Sequence, residues 1–175
     1  MVRASGWDNG SMADRMREAL GRILDQFDER RRAIEAHELK VRADDERFLR
    51  QFAELRRDVI RPVFESAGAV LLERGHRFSV TEQEFGADAG GQPMEAAITL
   101  TVVPAGTQPS LHADDHARSL SIMTRHYNKT VWINSGESKD AGGRAGAKGA
   151  HAPDKINAQL VEDEVLAFVA KVLGE

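Results

Sequence analysis

Residues 20–55, LGRILDQFDERRRAIEAHELKVRADDERFLRQFAEL, decide the fold class. Steps of seven through this stretch land on Leu20, Phe27, Ile34, Val41, Phe48 and Leu55, all apolar, before the series meets Pro62. A sustained seven-residue apolar step is the signature of a helix with a continuous seam. The companion series four residues on reads Leu24, Arg31, Glu38, Asp45, Phe52 and Val59, apolar at its ends and charged in its middle. The stripe is therefore expected to make its contacts at its ends rather than its centre.

Helix chemistry around the seam agrees. Ser11 with Asp14 resembles a capping box, and between Met12 and Arg61 the chain has one glycine, Gly21, and no proline. At Pro62 the ring removes a backbone donor and disfavours helical geometry at Arg61, which predicts a kink or break. The apolar pattern resumes with Val63, Phe64, Ala67, Val70 and Leu71, and Arg74-Gly75 supplies a stop. A helix from Met12 to Arg61 would extend about 75 Å at 1.5 Å per residue, too long to be covered by a globular remainder of about 100 residues. Three arrangements would cover it: intermolecular coiled-coil pairing, a hairpin folding back near Ala43-Asp44-Asp45, or a helix lying against its own domain. The unbroken phase favours pairing. The charged centre of the companion series favours the hairpin, or a register-setting device within a coil.

After Gly75 the period changes from helical to alternating. Strands are expected at Arg77 to Phe85, Ala96 to Val103, Arg118 to Arg125 and Lys129 to Asn134, joined by connections that imply an antiparallel meander. Phe78, Val80, Ile98, Leu100, Val102, Leu120, Ile122, Val131 and Ile133 share one face. The other carries Ser79, Thr81, Thr99, Thr101, Ser119, Ser121, Met123, Thr130, Trp132 and Asn134. One face is made for a core; the hydroxyl-lined one is left for solvent, ligand or a partner. From Pro153 on, Ile156, Leu160, Val161, Val165, Phe168, Val169, Val172 and Leu173 recur at helical spacing and predict a last helix on the apolar sheet face.

The expected fold is α+β: a long N-terminal helix, coiled-coil-like or a hairpin, then a four-stranded antiparallel sheet and a C-terminal helix packed on one sheet face. Residues 1–11 read as a flexible leader, 12–61 as a helical arm, and 62–175 as a small α+β domain with a mobile loop at about 135–152. Gly10-Ser11-Met12 has the look of a fusion junction, which makes Met12 a candidate native start.

The chain has 175 residues, 30% charged and 41% hydrophobic, with no cysteine and a net charge of −4. That balance, with arginines interleaved among acids, argues against nucleic-acid binding, which draws on clustered unpaired cations. No apolar run approaches the roughly 20 residues of a membrane span, and the leader lacks a secretory core, so a cytoplasmic setting is expected. Without cysteine there are no disulfides, thiolate nucleophiles or Cys-based zinc sites.

The motifs that could carry chemistry are weak. His112 and His116 flank Ala113-Asp114-Asp115 in an expected loop, where a four-residue separation does not align ligands as on a helix and a further ligand is undefined. The run Gly142 to Gly149 lacks the Gly-Lys-Ser/Thr ending of a phosphate loop. No serine sits in a nucleophile turn, and Asp114-Asp115 and Glu162-Asp163-Glu164 read as solvated surface. No cofactor or catalytic residue is assigned. An indole on a Ser/Thr-lined face can stack on a ligand or anchor an interface, which singles out Trp132, with Met123, Arg125 and Tyr127 as its candidate surroundings. The expected function is an oligomerising interaction module, more a binding protein than an enzyme, with the arm for self-association and the sheet domain for a protein partner. The alternative is a small-molecule-binding or enzymatic domain using the hydroxyl-lined face and the His112 to His116 loop.

Overall fold

The computed structural model describes residues 9–107, 118–137 and 147–174. The chain divides into two compact units, residues 1–44 and 45–175. The division falls within the first helix, α1 (Asn9–Leu55). Helix passes without interruption through Ala43, Asp44 and Asp45, so the hairpin arrangement is excluded. The helix also begins ahead of Met12 and includes Ser11, which is therefore interior and not a cap.

Pro62 does not break the chain. A π-helical turn, Arg56–Ile60, precedes α2 (Arg61–Glu73), and Arg61 keeps helical angles of −57° and −47°. Its N–H donates to the Arg56 carbonyl five residues back. Widening the turn by one residue re-routes the ladder just where the proline ring would crowd it, so the chain bulges where the sequence predicts a break. Helix α2 ends where Arg74-Gly75 predicts. Gly75 takes a φ of +84°, and the His76 N–H closes on the Leu71 carbonyl at 3.0 Å.

Among the described residues the sheet has five strands rather than four. β1 (Arg77–Gln83), β4 (Ala97–Val103), β5 (Arg118–Arg125), β6 (Thr130–Glu137) and β7 (Ala147–His151) lie in that order, every pair antiparallel. β6 runs past Asn134 and β7 occupies part of the stretch expected as a loop at 135–152; Gly, Ala and Lys there carry no apolar alternation to betray a strand. A short ribbon, β2 (Gly86–Ala87) with β3 (Pro93–Met94), forms within the β1 to β4 connection. β1 stops at Gln83, two residues short of Phe85.

The core of the second unit lies on one sheet face. Ile98, Leu100, Val102, Leu120, Ile122, Val131 and Ile133 are buried there with Phe64 and Leu71 of α2 and with Val161, Val165 and Phe168 of α3 (Ala158–Gly174). Phe48 and Phe52 of α1 and Ile60 of the π turn join the same core, with Leu55 partly buried beside them. α3 starts later than Pro153, after a 3-10 turn at Pro153–Lys155, and Asn157 caps it by accepting the Leu160 N–H at 2.9 Å. Leu173, expected on its buried side, is exposed. At Gly68 α2 approaches β1 closely: a Cβ there would stand 2.2 Å from the Phe78 ring of β1.

Candidate interaction surfaces

In the first unit the arm is a helical surface rich in exposed apolar side chains. Met12, Met16, Leu20, Ile23, Leu24, Phe27, Ile34, Leu39 and Val41 are each between 43% and 66% exposed. Of the residues expected to drive self-association, Leu20, Phe27, Ile34 and Val41 are therefore open to solvent, whereas Phe48 is buried and Leu55 partly buried in the core of the second unit. Single exposed leucines are ordinary on protein surfaces; a run at helical spacing such as Met16, Leu20, Ile23, Leu24 and Phe27, continued by Ile34 and Val41, is not. Charge around the row is paired locally in part, as in Arg31 with Glu35 one turn on.

The second candidate surface is the polar face of the sheet. Register sets Thr81, Thr99, Ser121 and Asn134 side by side across four strands, with Ser79, Thr101, Ser119 and Gly136 as the next row. The Thr99 and Ser121 hydroxyls bond each other at 2.8 Å. Met123 is the cross-strand neighbour of Trp132, and the Arg125 guanidinium stacks over the indole at 4.0 Å from its centroid. Of the residues singled out in the sequence, Trp132, Met123 and Arg125 thus come together, and Tyr127 is exposed on the adjoining 3-10 turn, His126–Asn128. The Trp132 Nε1 is buried and has no hydrogen-bond acceptor among the described residues. A buried indole N–H without an acceptor is uncommon and normally finds one.

Two charged clusters are absent from the sequence reading. At the β5 to β6 turn, Lys129 donates to Asp45 of α1 and to the His126 carbonyl, and the His126 Nε2 stands 3.4 Å from Asp45. Lys129 holds a left-handed φ of 55°, uncommon for a residue other than glycine, and its ammonium reaches Asp45 from there. The Lys129 hydrogen bond lowers the Asp45 pKa below the ordinary carboxylate range; burial opposes it and the charges of His126 and Lys129 add to it. The His126 ring stacks on Phe85 at 4.4 Å, and Glu95 accepts from the His126 N–H and the Thr124 hydroxyl. The second cluster surrounds Arg56 on the π turn, which is buried and donates to the Gln83 carbonyl and to Glu84, with Glu82 nearby at 3.6 Å. Asp45 and His126 are too far apart in sequence for spacing to link them, and nothing local to Arg56 distinguishes it from neighbouring arginines.

His112, His116 and the carboxylates between them lie outside the described residues, as does most of the Gly142 to Gly149 run. Among the described residues no helix is long and apolar enough to cross a membrane. No known protein family, no characterised protein and no solved structure matches this chain.

Proposed function

We infer that this chain is an oligomerising interaction module, whose helical arm pairs with a second copy and whose hydroxyl-lined sheet face is presented to a protein partner. The observation that carries this reading is the exposed apolar row from Met12 to Val41. Roughly 25 cal/mol is recovered for each Å² of such surface removed from water, so an uncovered row of this length favours association. Helices of this kind draw most of their stability from packing an apolar stripe, and the large apolar side chains of the first unit from Met12 to Val41 remain 43% to 66% exposed. The sheet face supports the second half of the reading through Trp132: an aromatic stacked by Arg125, with Met123 and Ala150 as its cross-strand neighbours, has the composition of an interface anchor.

Size-exclusion chromatography with light scattering on the intact chain tests self-association. A dimer or higher oligomer at micromolar concentration is expected; a strict monomer at high concentration would refute it. For the sheet face, Trp132→Ala should abolish capture of a partner that the arm variant Phe27→Ser still captures, and loss in neither variant would remove the face from the proposal.

A further inference from the structure

The self-association reading leaves the orientation of the second copy open, and the charges along the arm separate the two choices. Leu20, Phe27, Ile34 and Val41 form one core series, and they are flanked on both sides. On one side Met16 and Ile23 continue as Arg30 and His37; on the other Leu24 continues as Arg31 and Glu38. In a parallel, in-register pair each core residue faces its own copy. Whichever flank completes the core, like charges then meet: Arg30 against Arg30 in the first case, Arg31 against Arg31 and Glu38 against Glu38 in the second. Like charges held in a partly desolvated seam oppose pairing.

An antiparallel pair removes the conflict. Setting Ile23 opposite Ile34 of the second copy also sets Met16 opposite Val41, Leu20 opposite His37, and Phe27 opposite Arg30, over about 39 Å of helix at 1.5 Å per residue. Both apolar layers then match twice by symmetry. Arg30 lies over an aromatic ring in place of another arginine, a contact that favours the cation. On the flank, Arg17 and Glu38 of the second copy, opposite in charge, fall two residues or about 3 Å apart along the axis, within reach of their side chains. We propose that two copies of this chain pair through Met16 to Val41 as an antiparallel coil, with Ile23 packed on Ile34 and Arg17 paired with Glu38.

The chain contains no cysteine, so a single introduced one can be labelled cleanly. With a spin label on Arg15→Cys in the full chain, the antiparallel register places the two labels about 40 Å apart along the axis, since Arg15 lies opposite Arg42. A parallel pair places them about one helix diameter of 10–12 Å apart plus the label arms. Light scattering on the same sample separates the two ways of failing: a monomer refutes self-association itself, while a dimer with the short distance refutes only the orientation. As a second measurement, Arg17→Glu should weaken dimerisation about two- to fivefold, and adding Glu38→Arg in the same chain should restore it. A double variant weaker than either single one would overturn the register.

Discussion

Substituting Gly68 by alanine isolates the contact that seats α2 on the sheet. Elsewhere in a helix this change should stabilise, by about 1 kcal/mol, because glycine loses the most backbone freedom on folding. Here the added methyl would stand 2.2, 2.3 and 2.5 Å from three carbons of the Phe78 ring, more than an ångström inside ordinary contact. Either α2 lifts from β1 or the ring leaves the partly buried place it holds against the core. Overpacking of that kind costs about 1–3 kcal/mol, which reverses the helical gain and leaves a net loss of about 1 kcal/mol. The cause can be separated from any general intolerance by a double-mutant cycle in urea. In a Phe78→Ala background, itself less stable, Gly68→Ala should turn stabilising by about 1 kcal/mol, giving a coupling energy near 2 kcal/mol. A Gly68→Ala chain more stable than the parent would refute the close approach and with it the placement of β1 under α2.

The clusters make further expectations. Because the Asp45 pKa is lowered in the folded chain, its contact with Lys129 contributes stability above the unfolded carboxylate value of about 3.9 and loses it as pH falls through the lower folded value. The stability difference between the parent and Asp45→Asn should therefore be constant near neutrality and shrink as acid unfolding is followed from about pH 5 to pH 2; a difference that grows on acidification would contradict the assignment. Arg56→Met should cost only about 1 kcal/mol by chemical denaturation, not the 3–5 of a broken buried pair, since Glu84 and Glu82 can rehydrate. A loss above about 3 kcal/mol would mean that those acids are shielded from water. Arg125→Ala in a Trp7→Phe chain should shift the emission of Trp132 and cost about 0.5–1 kcal/mol, and an unchanged spectrum would dissolve the stacked pair.

The sheet was legible because alternation reports on burial directly. Every inward position expected on β4, β5 and β6 from Ile98 to Ile133 is buried, and Arg118 to Arg125 is bounded to the residue. β7 was not legible, because an edge strand can be held by ladder hydrogen bonds alone and needs no apolar face of its own. The π turn escaped for a related reason: proline rules state what a regular helix cannot tolerate, while the chain had a wider turn at its disposal. Of the candidate surface, the Met123 and Trp132 pairing followed from register, whereas the stacking of Arg125 depends on a side-chain conformation that no spacing encodes.

The step of seven that joins Leu20 to Leu55 identifies a face without saying what covers it. The same series yields Phe48 in the core and Ile34 at 59% exposure, so a period alone does not distinguish cover by the chain's own sheet from cover by another copy. Substitution can. Ile34 lies in the seam, and Leu39, 66% exposed, belongs to neither core series. Pairing that covers Ile34 should return about half of the 1.5–3 kcal/mol available to a fully buried side chain, or about 1 kcal/mol. Each dimer contains two such residues, so Ile34→Ser should raise the dissociation constant about 30-fold, at a factor of ten per 1.4 kcal/mol. Leu39→Ser should leave it within about twofold, because that side chain stays in water in both states. Equal effects from the two substitutions, read by sedimentation over a dilution series, would mean that the arm associates by indiscriminate apolar contact and that no coil forms along the seam.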